Sequence, residues 1–199
     1  MSGPASAAAD AFRVLPLDPA DAASIERAAA LLVEGFREHA PRAWPDMDAA
    51  RAEVAECLNP EWIILGAFGA GGVLVGWIGG QPQYYGDVWE LHPMVVDERF
   101  RRRGIGRMLV RELERRLRER GVLTLYLGTD DEDERTSIGG VEVFPGVLDG
   151  LRELRNLGGH PFEAYERLGF EVIGVIPHAN GFGRPDIQMA KSLRAPDRG

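Results

Sequence analysis

The residues with the plainest chemical meaning lie between Asp97 and Arg120. Ten arginines stand against five acidic residues there, a local charge of +5 in a chain of formal charge −8. The excess falls on Arg101-Arg102-Arg103-Gly104-Ile105-Gly106-Arg107, after a Val95-Val96 strand and at the start of a helix. Glycines bare the backbone at such a turn, the first helical N–H groups point outward, and the helix dipole favours an anion. That chemistry suits a phosphate or pyrophosphate. The plainer alternative is a glycine-rich helix start followed by a solvated basic face. A bare Gly-x-Gly would leave that alternative ahead. The full Arg101-x-x-Gly104-x-Gly106 after a strand favours the anion site. No Gly-Lys-Ser/Thr follows the glycines, so a Walker-type nucleotide loop is not expected. His39, His92, His160 and His178 lack close ligand spacing and Cys57 is the single cysteine, so no metal is expected.

The elements that must position this turn are readable from periodicity. Phe12 to Leu17 alternates as a first strand, and a helix follows the start signal Asp18-Pro19 with Ile25, Ala28, Ala29, Leu32 and Phe36 at helical spacing. Asp46 opens a second helix to about Leu58. Glu61–Phe68 and Val73–Gly80 form a hairpin, and Val88–Val96 is a third strand in which Pro93 predicts a bulge or splayed edge. The long helix from Ile105 to about Arg120 carries Ile105, Met108, Leu109, Leu113 and Leu117 as one stripe and ends at Gly121. Val122–Leu127 is then a buried strand, which makes strand, glycine turn, helix and strand a βαβ unit. A helix near Leu148–Leu154, a short helix after Pro161, and closing strands Phe170–Ile176 and Ile187–Leu193 complete an α/β domain with a mixed sheet. The expected boundaries are a tail over 1–10, one domain over 11–194 and a tail over 195–199.

Composition narrows the field. The chain has 199 residues, 45% apolar and 27% charged, which excludes a mainly disordered protein. An acidic chain is poorly suited to coating nucleic acid or an anionic membrane and well suited to a cationic substrate. Trp62 to Gly80 holds 19 uncharged residues, but seven are glycine, which reads as two buried strands and a turn instead of a membrane span. Met1–Asp10 lacks the basic start and apolar core of a signal peptide. With one cysteine, a reducing cytoplasm is the expected setting.

Val95-Val96 followed by Arg101 to Gly106 resembles the acyl-CoA motif of the GNAT acetyltransferases, and the order of elements is similar from about Phe12 to Leu193. Further blocks resemble the aminoglycoside 6′-N-acetyltransferases within that family: Trp89-Glu90-Leu91-His92-Pro93, Leu127-Gly128-Thr129-Asp130-Asp131, Arg155-Asn156-Leu157, His160 to Tyr165, Ala179 to Phe182 and Arg184-Pro185-Asp186-Ile187. The sequence departs from the pattern at Met94, where leucine is usual, in its arginine-rich turn, and over the glycine-rich stretch from Glu134 to Gly158. The resemblance implies the GNAT acyltransferase fold: a mixed, mostly antiparallel sheet with a central parallel splay and flanking helices. It implies acetyl-CoA as donor, the 6′-amine of an aminoglycoside as acceptor, and a homodimer. Two other readings stay open: acetylation of another amine, such as a polyamine or a protein amine, and a non-catalytic acyl-CoA-binding module.

Amine acetylation needs a neutral amine, a polarised thioester carbonyl, a proton for the departing thiolate and close positioning of both substrates. By resemblance, the backbone N–H of Met94 binds the thioester oxygen. The backbone from Val95 and Val96 through Arg101, Arg102, Arg103, Gly104, Ile105, Gly106 and Arg107 binds pantetheine and pyrophosphate. Tyr165 lies near the sulfur as a general acid; read on spacing alone, it is a core aromatic on the face of Phe162 and Leu168. Glu90 is the first choice for the base or amine-positioning carboxylate, against a plain reading as a strand-edge carboxylate facing water. His92, two residues on and so on the same face, is either a relay or a buried, hydrogen-bonded histidine. Asp130 and Asp131 are expected as a clamp for a polycation, with Glu132 to Glu134 a solvated acidic loop.

Overall fold

The computed structural model describes residues 12–194; both expected tails lie outside the described residues. The strands are β1 (Arg13–Pro16), β2 (Ile63–Phe68), β3 (Leu74–Gln83), β4 (Val88–Val96), β5 (Thr124–Asp130), β6 (Glu171–Ile176) and β7 (Asp186–Ser192). The helices are α1 (Ala22–Phe36), α2 (Met47–Cys57), α3 (Ile105–Glu119), α4 (Val147–Arg152) and α5 (Phe162–Glu166). Hydrogen bonding orders the strands β1-β2-β3-β4-β5-β7-β6. The β4–β5 pair is parallel, and the β1–β2, β2–β3, β5–β7 and β6–β7 pairs are antiparallel. The β4–β5 ladder covers only Val88–Glu90 against Thr124–Tyr126, although β4 runs on to Val96 and β5 to Asp130. This is the mixed, mostly antiparallel α/β architecture expected.

The chain divides into two compact units, each assembled from separate segments. Among the described residues the first comprises 12–35, Trp44–Gln81 and His92–Arg116. Its core comes from the uncharged run predicted to be a hairpin, with Leu65, Ala67, Leu74, Val75, Trp77 and Ile78 buried. α1 buries Ala28, Ala29, Leu31 and Leu32, and the Trp77 ring nitrogen donates to the Ala28 carbonyl at 3.0 Å. α1 begins later than Asp18-Pro19 because Asp21 caps it: its carboxylate accepts from Ser24 N at 3.1 Å and from Ser24 Oγ at 2.6 Å. Asp18 instead closes a turn on Ala20 N. Asp46 caps α2 as expected, accepting from Asp48 N and Ala49 N at 3.0 and 2.9 Å. α3 seats Ile105, Leu109, Val110 and Leu113 in the interior.

Among the described residues the second unit comprises Phe36–Ala43, Pro82–Leu91 and 117–194. Leu125, Leu127, Phe162, Phe170, Ile187 and Met189 form its core. β5 starts at Thr124, not Val122, because Val122 N bonds the Leu117 carbonyl and Leu123 N bonds the Asp87 carbonyl before the ladder begins. It also runs three residues past the expected end, so that Asp130 is its last residue, opposite Asp186 of β7.

Candidate active site

In the first unit β4 delivers the chain to Asp97, whose carboxylate organises the turn. Asp97 accepts from Arg99 N, Nε and Nη2 at 3.0, 3.1 and 2.7 Å, and from Arg27 Nη2 at 2.6 Å. The Arg99 guanidinium, with Arg27 beside it, holds this carboxyl down at about 2. A single helical turn over Glu98–Phe100 follows. Arg99 and Arg103 lie with their guanidinium carbons 5.9 and 5.5 Å from the centre of the Phe100 ring. Arg102 and Gly104 then take the left-handed conformation at φ 61° and 82°, a value that glycine adopts at no cost, and α3 starts.

This turn fits an anionic ligand held by backbone. The first helical donors have no intrahelical acceptor, and Met108 N is the donor that bonds the Gly104 carbonyl, at 3.0 Å. No acidic residue lies in the first turn of α3. Gly106 costs helix stability relative to alanine, by about 1 kcal/mol, yet a Cβ there would meet only Met94 Cε, at 4.0 Å. The protein's own packing does not demand glycine at 106, and the space above the helix end stays open. The side chains of Val95 and Ile105 are buried, so these two residues can offer only their backbone. Arg101, Arg102, Arg103 and Arg107 are exposed.

Burial alternates along β4, with Trp89, Leu91, Pro93 and Val95 inward and Val88, Glu90, His92, Met94 and Val96 on the half-exposed face. His92 is not buried; its side chain is 42% exposed, and its Nε2 lies 3.4 Å from Glu53 Oε1 on α2. The Trp44 ring lies beside it at 6.0 Å between centroids.

The second unit collects carboxylates on one face of its strands. Glu90 Oε2 accepts from the Tyr126 hydroxyl at 2.9 Å and from Gln83 Nε2 at 3.3 Å. Burial, reinforced by the bond to Glu90, pushes the Tyr126 phenol well above its ordinary value, so it stays a donor. Asp130 Oδ1 accepts from Asn180 Nδ2 at 2.5 Å. Across the ladder Asp186 Oδ2 accepts from Gln188 Nε2, while Asp186 Oδ1 is buried with no hydrogen-bond partner. Burial first, then the charge of Asp130, pushes the Asp186 carboxyl up to about 6. Its carboxylate lies over Gly128, where a Cβ would come within 2.5 Å of Asp186 Oδ2. Gly128 is thus a close-approach glycine, without which Asp186 would lose its position.

Asp131 corrects an expectation. It does not join Asp130 as a clamp: it is 0% exposed, and its oxygens accept from Arg135 N, Thr136 N and Thr136 Oγ1 at 2.7, 2.9 and 2.7 Å. Its carboxylate is spent on closing the loop after β5. The acidic run beyond it is also engaged, since Arg42 Nη2 donates to Glu132 at 3.1 Å and His39 Nδ1 lies 2.8 Å from Asp133. Arg42 Nη2 also donates to the Asn180 carbonyl. His160 is a buried structural histidine, with Nε2 2.9 Å from the Asp130 carbonyl. Tyr165 is half-buried on α5, edge-on to Phe170 at 5.8 Å, and burial pushes its phenol up to about 12. It therefore holds its proton at neutral pH. Tyr126 and Glu53 were not singled out from sequence, and Asn180 and Asp186 stand in blocks that carry the resemblance but received no role. The alternation of Tyr126, Gly128 and Asp130 along β5 was the available signal for Tyr126; nothing in the spacing points to Glu53. Among the described residues no group of three or more His, Cys, Asp or Glu side chains is arranged to hold a metal, and no helix is long and apolar enough to cross a membrane.

Residues 26–139 match the model of the acetyltransferase (GNAT) family. A crystal structure of an aminoglycoside 6′-N-acetyltransferase complexed with coenzyme A is similar at 38% identity, TM-score 0.83, covering 93% of this chain and 99% of that one. The aminoglycoside 6′-N-acetyltransferase from Enterococcus faecium is similar at 38% identity and TM-score 0.82, with the same coverage. An aminoglycoside 6′-acetyltransferase of type Ii follows at 34% identity and TM-score 0.70, covering 92% of this chain and 99% of that one. A search of curated protein sequences finds no match.

Proposed function

The chain belongs to the GNAT acetyltransferase family, and from that premise we propose that it transfers acetyl from acetyl-CoA to the 6′-amine of aminoglycosides by direct attack in a ternary complex. The observation that carries the acceptor is the carboxylate face of Glu90, Asp130 and Asp186, which suits a sugar bearing several ammonium groups. The donor reading rests on the turn from Arg101 to Arg107, where backbone N–H groups and the helix dipole suit a pyrophosphate.

In this reading the Met94 N–H polarises the thioester carbonyl. Glu90, or water it orders, takes the proton of the 6′-ammonium. The freed amine attacks the carbonyl carbon to give a tetrahedral intermediate, the C–S bond breaks as Tyr165 gives its proton to the departing thiolate, and the second proton of the nitrogen leaves through water, which restores the Tyr165 phenol. Tyr165 suits an acid because burial keeps it protonated. The side chains of Arg101 to Arg103 add long-range charge to a site built on backbone. We propose a cytoplasmic homodimer as its working state, which sedimentation at several concentrations tests.

The experiment is release of CoA thiol from acetyl-CoA with kanamycin A, tobramycin and spermidine in parallel. Release with the two drugs and a product heavier by one acetyl group is expected. Release with spermidine alone transfers the reading to another amine. Tight acetyl-CoA binding without release for any amine leaves a binding module.

A further inference from the structure

His160 is only 2% exposed, and both nitrogens of its ring are used inside the second unit. Nδ1 accepts from Phe162 N at 3.3 Å, and Nε2 lies 2.9 Å from the Asp130 carbonyl. An N–H is met by a lone pair and a carbonyl by a proton, so the ring is the neutral tautomer protonated on Nε2. Burial holds its pKa below the ordinary histidine value. The Asp130 carbonyl and the Asp131 and Asp133 carboxylates act the other way, and Arg135 acts with burial. The ring also starts from a fixed backbone. Asn156 Oδ1 accepts from His160 N, and Asn156 Nδ2 donates to the His160 carbonyl, both at 2.8 Å. Asn156 in turn forms a β-bridge with Thr136, whose N–H and hydroxyl bond the Asp131 carboxylate next to the end of β5.

We infer that His160 is a positioning residue for both halves of the reaction: its Nε2–H fixes the end of β5 that carries Asp130, and its Nδ1 lone pair fixes the start of α5, which carries Tyr165. The two ties do separate work. Phe162 N is among the first donors of α5 and has no intrahelical acceptor, so the imidazole serves it as a capping side chain does. α5 is five residues long, too short to hold its own direction, and Tyr165 follows wherever its first turn points. The Asp130 carbonyl closes the last residue of β5, from which the Asp130 carboxylate joins the proposed acceptor face. One ring thus sets the acid through one nitrogen and an acceptor carboxylate through the other. The kinetic consequence rests on the acetyl-transfer reading; the tautomer and the two ties do not.

The test divides the ring between two amides, His160→Asn and His160→Gln. Asparagine Oδ1 lies as many bonds from Cβ as Nδ1 does, so it keeps the bond from Phe162 N and loses the Asp130 carbonyl. Glutamine Nε2 matches the histidine Nε2, so it keeps the Asp130 carbonyl and loses Phe162 N. Nitrogen-15 NMR of the wild-type ring should show the proton on Nε2, a result that needs no substitution. Amide exchange at Phe162 should be slow in wild type and His160→Asn, and about tenfold or more faster in His160→Gln. With kanamycin A as acceptor, His160→Gln should lower kcat about fivefold with the acceptor KM within twofold. His160→Asn should raise the acceptor KM about fivefold with kcat within twofold. A histidine that only supports the fold would move both constants together in both variants. That outcome, a wild-type ring protonated on Nδ1, or a Phe162 amide equally protected in His160→Gln, overturns the inference. If wild type acetylates no amine, the acetyl-transfer reading fails by itself, and the ring spectrum and amide exchange still decide the two ties.

Discussion

The turn from Asp97 to Arg107 and the strand face of Glu90, Tyr126, Asp130 and Asp186 present opposite charge by opposite means. The turn is basic, yet the donors proposed for it are backbone N–H groups, in a segment shaped by a left-handed Gly104 and by the carboxylate of Asp97. The face is acidic and presents side chains, each accepting a hydrogen bond from a neighbour: Tyr126 on Glu90, Asn180 on Asp130, Gln188 on Asp186. Even the two organising aspartates differ in sign, Asp97 held at about 2 by arginines and Asp186 pushed to about 6 by burial and a neighbouring charge. A backbone site tolerates replacement of its side chains and fails when the space over the backbone is filled. A side-chain site behaves the other way round.

The sharpest break is Gly106→Asp. A carboxylate in the first turn favours the α3 dipole and replaces a helix-weakening glycine, so the melting temperature should hold or rise. The same charge stands where a pyrophosphate would sit, so acetyl-CoA should bind about a hundredfold or more weaker by calorimetry. Full affinity in this variant removes the anion site. Next is Glu90→Gln, for which kcat/KM toward the acceptor should fall about thirtyfold while acetyl-CoA binding stands. A change under twofold makes Glu90 structural. Tyr165→Phe follows, with kcat down about tenfold and acetyl-CoA affinity intact; an unchanged kcat removes the phenol from the mechanism.

What the sequence made legible, and what it did not, follows the same division. β4 was bounded correctly at Val88 and Val96, the Asp46 cap at its residue, and the glycine turn with its helix, because each is set by local rules of periodicity, capping and φ. Asp131 shows what was readable and overlooked. Leu125, Leu127 and Thr129 are buried on alternate positions of β5, and Asp131 continues that parity inward while Asp130 does not. Asp186 and Glu53 were of another kind. Asp186 faces Asp130 through the β5–β7 register and Glu53 reaches His92 of β4 from helix α2, and no local pattern encodes either meeting.

Two smaller effects sharpen the contrast. Arg101→Ala should weaken acetyl-CoA binding only about twofold, and less in high salt, because an exposed guanidinium is screened; a loss above tenfold would make that side chain a specific ligand. The last effect is a pair of opposed pH slopes. The raised carboxyl of Asp186 favours the folded state most below about pH 4, and that contribution is lost as pH rises through about 6. The depressed carboxyl of Asp97 contributes above about pH 4, and that contribution is lost as pH falls through about 2. Melting temperatures across pH should therefore lose their decline between about 4 and 6 in Asp186→Asn, and part of their acid-side loss in Asp97→Asn. Parallel curves for either variant would detach that aspartate from its assigned environment.

Gly128 gives the acidic face an evolutionary hinge. Any side chain there falls on the Asp186 carboxylate, so, in the proposed acceptor reading, one nucleotide change displaces a recognition charge without altering a charged residue. Selection on drugs that differ in their number of ammonium groups thus has a single-step route to a new acceptor range, through a position that bears no charge of its own.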